Sequence, residues 1–326
     1  MKMKKLLIFI LLGFIVASCN KDDDDITMGN SGKNKFRVKE IKGSNVHWGN
    51  YRMTVSYRAE NMDQIWVCNG QDTIAYLSKE EKPVGNGNEY ASTIYRIYDY
   101  VANISEDSIR KLEDKYGVEA AKDSIPVVSR ELFSAQVSYE NGRLWQQTLL
   151  SNIQYPDMSD GAQYLKKDRY KYIYEYNTNG AVSICRMFID TFDTSDPDLN
   201  ADVQERTIRK LAFVYAGGRV AGMQEYRAED EYGSEASYVK VTDWNFTYAG
   251  DRLAAANDIT YQWSGNTVSV TCDGKVVRYT MNNDGYLTRI DYANGDYVEV
   301  TYEAGNGNFS IFSPLLDQNF GIPSVL

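Results

Sequence analysis

The sequence predicts an all-β fold: a large antiparallel meander of β-hairpins, curled into a sheet, partial barrel or sandwich. Three observations predict it. Apolar and polar residues alternate with period two over most of the chain, Asn/Asp/Gly turns recur between the alternating runs, and helical spacing is confined to one stretch near residues 105–116.

The first eighteen residues are read differently. Lys2, Lys4 and Lys5 precede an apolar run from Leu6 to Val16, the charge and length pattern of an export signal. The run is too short to span a bilayer, which takes about 20 apolar residues. It leads into Val16-Ala17-Ser18-Cys19, a lipobox: small residues let the extended chain enter a peptidase, and the Cys19 thiol is the one side chain there that can accept a thioether-linked lipid. The expectation is a signal peptide over 1–18 and an acylated Cys19 that anchors the chain to a membrane.

Residues 19–33 read as a flexible acidic linker. Lys21, Asp22, Asp23, Asp24 and Asp25 repel one another, and Gly29, Asn30, Ser31 and Gly32 add flexibility without apolar anchors. The run after Cys19 resembles the acidic export signal of Bacteroidetes lipoproteins, which implies the outer face of the outer membrane. Residues 34–326 then form a single β-rich domain, since no Pro/Gly/Ser-rich break divides them.

From Val137 onward one unit repeats. Alternating residues end at an aromatic, a short turn follows, and a Leu or Val restarts the alternation. Tyr139 leads through Asn141-Gly142 to Leu144, Tyr176 through Asn179-Gly180 to Val182, and Tyr215 through Gly217-Gly218 to Val220. Tyr248, Trp263, Tyr279 and Tyr302 continue the series, with turns at Gly250-Asp251, Gly265-Asn266, Asp284-Gly285 and Gly305-Asn306-Gly307. Such turn pairs supply the positive φ of tight primed turns, and the flanking aromatic and aliphatic residues suit cross-strand pairing. The first four tyrosines are 37, 39 and 33 residues apart, too irregular for a solenoid or propeller. Over residues 130–310 the unit resembles the YD repeat of Rhs-type shell proteins, in the irregular form found in uncharacterised surface lipoproteins of Bacteroidetes. The Asp of that motif is replaced by Glu140, Asn177, Ala216 and Ala249, so a closed cocoon is not implied. The resemblance implies fold and brings no catalytic residues.

Before the repeat, 36–41, 51–57 and 93–100 read as strands. Ser105 caps a helix whose Ile109, Leu112 and Tyr116 form an apolar stripe, which Gly117 ends and which is expected to pack on the sheet. The apolar tail 311–316 suits a plug for an open end.

The formal net charge is −10, more negative still without the three leader lysines, and no basic cluster is interleaved with aromatics. Nucleic acid is therefore not expected as a partner. A single histidine, His47, excludes multi-histidine zinc sites and most nucleophile–base arrangements. Gly85-Asn86-Gly87 lacks the context of a phosphate loop and reads as a turn. Cys68, Cys185 and Cys272 sit in alternating apolar segments and read as core thiols, with one disulfide between two of them left open. Asp190, Asp193, Asp196 and Asp198 could offer oxygen ligands to calcium, although their spacing is not that of an EF-hand; no other cofactor is expected.

Twenty-six tyrosines and five tryptophans are more aromatics than chemistry explains. Most fill sheet faces; Trp48, in a polar stretch beside His47, is the aromatic singled out to stack on a sugar ring. The reading is a membrane-anchored, surface-exposed, non-enzymatic binding or adhesion module for a glycan or protein. The alternatives are a hydrolase working through carboxylates, or a structural subunit of an outer-surface assembly.

Overall fold

The strands that open and close the described chain lie side by side, and their pairing turns the meander into a ring. The computed structural model describes residues 36–305 except 47, 59–60, 84–89, 103, 123, 142, 153–154, 158–163, 194–205 and 230–236. Its first strands are β1 (Phe36–Asn45), β2 (Gly49–Arg58), β3 (Asn61–Asn69), β4 (Asp72–Pro83) and β5 (Tyr90–Ala102). Helices α1 (Glu106–Tyr116) and α2 (Val118–Lys122) lead to β6 (Val127–Glu140), β7 (Arg143–Ser151), β8 (Tyr155–Asp157), β9 (Tyr164–Tyr176) and β10 (Val182–Asp193). There follow β11 (Arg206–Ala216), β12 (Arg219–Ala228), β13 (Tyr238–Ala249), β14 (Arg252–Ala256) and β15 (Ile259–Ser264). The last are β16 (Thr267–Cys272), β17 (Lys275–Met281), β18 (Leu287–Asp291) and β19 (Tyr297–Ala304).

Each strand pairs antiparallel with its neighbour in sequence, except that β7 pairs with β9 and the short β8 continues the line of β7 along β9. β19 returns to β1, with Ala304 opposite Phe36 and Val298 opposite Gly43, so eighteen strands close a barrel and β8 stands outside the count. Gly43 sits at this seam between Val298 and Tyr51, and any Cβ there would lie 2.4 Å from both the Tyr297 carbonyl oxygen and Tyr51 Oη. Only glycine fits.

Side chains alternate across the wall as the sequence implies. One inward row runs Val55, Ile65, Leu77, Ile97, Phe133 across five strands, and another runs Val268, Tyr279, Ile290, Val298. These residues belong to one buried apolar cluster. Round barrels of sixteen to eighteen strands enclose a water channel; here these inward side chains are buried, so the ring is collapsed on a mainly apolar filling. Outward positions such as Lys42, Arg52, Thr54, Thr260, Gln262 and Arg278 are exposed. A bilayer-crossing barrel has its apolar band outside and its polar residues inside. This ring has the reverse.

Because neighbours are antiparallel, connections alternate between two rims. Phe36 starts at the rim that carries the turns at 141–142, 177–181, 217–218, 250–251, 265–266 and 282–286. The helices and the strand ends Asp193, Arg206, Ala228 and Tyr238 belong to the opposite rim.

The repeat seen in the sequence acquires a mechanism. In six places the aromatic before a turn donates a hydrogen bond back to a carbonyl near the start of an earlier strand. Tyr57 donates to Val38, Tyr176 to Leu144, Tyr215 to Val182, Tyr248 to Val220, Trp263 to Leu253 and Tyr302 to Leu287, all at 2.5–2.8 Å. In four of these the acceptor follows an arginine whose guanidinium lies over the same ring: Arg37 on Tyr57, Arg143 on Tyr176, Arg219 on Tyr248 and Arg252 on Trp263. These six aromatics thus clasp their hairpins to earlier strands.

Three expectations change. Gly217 and Gly218 both take positive φ, as a primed turn requires, but at Asn179-Gly180 and Asp284-Gly285 only the glycine does. There Asn177 and Asn282 instead each accept two backbone N–H groups on their side-chain oxygen, building a wider turn. Helix α1 forms as predicted, with Ser105 accepting from the Ser108 N–H and Gly117 at φ 80°, yet it buries none of its residues. Its stripe is too short to outweigh a charged remainder, so it does not serve as a packing helix. The third is narrowed and not overturned: of the curled sheet, partial barrel or sandwich expected, the sheet takes the barrel form, closed between β1 and β19. The turn at 85–87 and the tail 311–316 lie outside the described residues.

Candidate functional site

On the outward face of β3, β4 and β5, where polar residues are the rule, four aromatic rings stand together. Trp66 is directly opposite Tyr76, and Tyr76 directly opposite Tyr98. Tyr76 and Tyr98 stack with centroids 4.8 Å apart and planes 17° from parallel; Trp66 and Tyr100 lean against Tyr76 at 5.7 and 5.8 Å. Their direction follows from the pleat: Ile65, Val67, Ala75, Leu77 and Ile97, one step along each strand, are buried. Trp66 and Tyr100 remain 39% and 37% exposed, which for such large side chains leaves much of each ring in water.

A second row runs beside the first. Gln64, Ser78, Arg96 and Ser134 are successive cross-strand partners on the same face. Arg96 donates to Glu80 at 2.8 Å and lies 3.6 Å from Glu131, the residue opposite Tyr98. Its charge is held by two carboxylates, and the hydrogen bond from Arg96 to Glu80 stabilises the charged guanidinium. The Tyr98 phenol is pushed above its ordinary value, first by burial and then by the Glu131 charge. The site is an aromatic strip edged by hydrogen-bonding groups.

The residues singled out from the sequence fall elsewhere. Trp48 is 7% exposed: its backbone N–H donates to Asn45 Oδ1 and its ring packs edge-on against Tyr51, so it belongs to the core and does not offer a face to a ligand. Asp190 is buried and held by the Arg169 guanidinium. Asp193 ends β10, while Asp196 and Asp198 lie outside the described residues, as do His47, Cys19, the lipobox residues Val16, Ala17 and Ser18, and Lys21 with Asp22, Asp23, Asp24 and Asp25. Cys68, Cys185 and Cys272 are free thiols; burial pushes that of Cys185 up to about 12.

Inside the ring, Arg209 and Glu225 pair at 3.2 Å, and Trp244 Nε1 donates to Glu225. A shallow depression at the rim where Phe36 begins is lined by Arg58, Met62, Asp63, Lys79 and Glu81. Arg58 pairs with Asp63 and Lys79 with Glu81, so its charges satisfy one another.

The strip was missed in the sequence, although a signal for it exists. Ile65-Trp66-Val67, Ala75-Tyr76-Leu77 and Ile97-Tyr98 break the alternation with apolar residues on both faces. In an antiparallel sheet with a filled interior, such runs mark places where the outer face is apolar too.

No protein-family model matches the chain, and no curated protein matches it. Among solved structures, it is similar to a porin-like protein from Bacteroides uniformis ATCC 8492, at 13% identity and a TM-score of 0.27, over 83% of this chain and 99% of that one. At that score the likeness carries no argument about what this chain does.

Proposed function

We propose that this chain is an exported lipoprotein, anchored through acylated Cys19 at the outer surface of the outer membrane, and that it works there as a non-enzymatic binding module. The observation that carries the reading is the cluster of Trp66, Tyr76, Tyr98 and Tyr100 on a largely polar outer wall. Exposed aromatic clusters rimmed by polar groups are characteristic of binding surfaces. The topology favours it as well: the described chain begins at Phe36 on one rim, and Trp66, Tyr76, Tyr98 and Tyr100 lie nearer the opposite one, the side turned away from a membrane that holds the N-terminus. The carboxylates nearest the strip, Glu80 and Glu131, both hold Arg96, an arrangement that suits positioning better than hydrolysis.

Two measurements test it. Metabolic labelling with a clickable fatty acid is expected to mark the native protein and not Cys19→Ser; equal labelling of both removes the anchor from the account. Intact cells are then probed for ligand capture with the native protein and Trp66→Ala. Capture unaffected by Trp66→Ala would mean that the strip is not the working surface.

We also take the hairpins to be diverged YD-type units, supported by a clasp that recurs from hairpin to hairpin. A solved YD-repeat shell in which the tyrosine makes no bond to an earlier hairpin would count against this kinship.

A further inference from the structure

Resting on the reading of the strip as a working surface, we infer that its ligand is a neutral polysaccharide lying across β3, β4 and β5. The flat C–H faces of sugar rings meet Trp66 and Tyr100, and hydroxyls meet the neighbouring polar row. Three observations lead there. The apolar surface is one outward residue wide on β3 and β4 and two wide on β5, bounded by the row Gln64, Ser78, Arg96 and Ser134 on one side and by the row Arg52, Cys68 and Thr73 on the other. A stable protein interface takes about 800 Å² per partner around a broad apolar centre; a narrow strip beside a hydrogen-bonding row fits a chain one ring wide.

The polar row is also the right kind. A serine hydroxyl, a glutamine amide and a guanidinium donate and accept in the plane beside the rings, as sugar hydroxyls require. Finally, the cations near the strip are already matched. Arg96 is held by Glu80 and Glu131, and Arg52 lies 3.9 Å from Glu40. The chain as a whole carries a charge of −10. An anionic polymer would be repelled by this field and would find no spare positive charge, whereas a neutral one meets neither penalty.

The test is affinity electrophoresis of the full-length protein in detergent micelles, through gels holding a neutral β-glucan, α-glucan or mannan, or anionic polygalacturonate. At least one neutral polymer is expected to retard the native protein, with the dissociation constant rising tenfold or more in Trp66→Ala and in Tyr100→Ala. Trp66→Phe is expected to retain most of the affinity. Unchanged thermal unfolding of the variants separates lost binding from lost fold. Retardation by polygalacturonate alone, no retardation by any neutral polymer, or retardation that Trp66→Ala leaves intact would each overturn the inference. If Trp66-dependent capture on cells persists while every neutral polymer fails, the binding surface stands and its ligand is a different molecule. If capture is also indifferent to Trp66, the reading of the strip fails with it.

Discussion

At Tyr248 three interactions converge. Its hydroxyl donates to the Val220 carbonyl at 2.7 Å, Arg219 lies 4.5 Å over its ring, and the same arginine donates to the Gly250 carbonyl two residues further on. One arginine–aliphatic pair thereby fixes both the aromatic and the turn of the next hairpin. Tyr248→Phe is expected to cost about 1 kcal/mol, the net worth of one hydrogen bond. Arg219→Ala is expected to cost a similar amount, and the pair to couple by about 0.5–1 kcal/mol in a double-mutant cycle read by denaturant unfolding. Strict additivity would show that the ring and guanidinium are mere neighbours. The residue types of this clasp were legible as a repeat, but its partner was not: a backbone carbonyl is the same at every position, so nothing in the sequence marks which one a phenol will reach.

Helix α1 shows what local chemistry can and cannot tell at the scale of an element. Ser105, the acidic first turn and Gly117 fixed its ends to the residue, because caps are local. Its lack of buried residues depends on what lies opposite, which no local pattern records. Ser105→Ala should therefore cost about 1 kcal/mol of helix stability, seen as faster amide exchange over 106–116, while the global unfolding midpoint stays where it is. A matching fall in that midpoint would mean the helix is packed after all.

A second element sits at the step in height between tall and short strands. β14 pairs only with Phe246–Ala249 of β13, so among the described residues Tyr238–Thr242 has β12 on one side and no strand on the other. Val239 and Val241 are exposed there, between them stands Lys240, and the register shifts at Val241. A charge and a bulge are the usual guards of a bare strand edge. Lys240→Val should promote concentration-dependent self-association by light scattering; a variant that stays monomeric would show that the bulge alone is sufficient.

For the whole molecule, the interior sets the response to pH. Burial pushes the Tyr57 and Tyr176 phenols and the Cys185 thiol up to about 12 each, and raises Tyr302 and Tyr261 further. These groups are neutral in the fold. Once unfolded, the thiol ionises near about 8.5 and the phenols near about 10. Their contribution is complete below those values and is lost as pH climbs toward the folded ones. The denaturation midpoint should stay level up to about pH 8.5 and then fall, with tyrosinate absorbance appearing together with unfolding. Tyrosines that all titrate near pH 10 without any loss of structure would contradict this.

The fold class was readable from alternation and turns, since both act over a few residues. Closure was not, because the first and last strands look like any others and meet only through the summed twist of everything between them. The sense of the wall, apolar within and charged without, likewise emerged only once the ring was complete.

That seam governs when the protein can exist as such. Arg37 bonds Glu303 at 2.7 Å across 266 positions of chain, and until the C-terminal strand has been made, β1 has only one neighbour. An emerging polypeptide therefore cannot finish folding while its last strand is still in the ribosome, and closure of so long a loop is slow. A lock supplied last suits the proposed export, in which the chain would cross a membrane as a thread and become rigid on the far side.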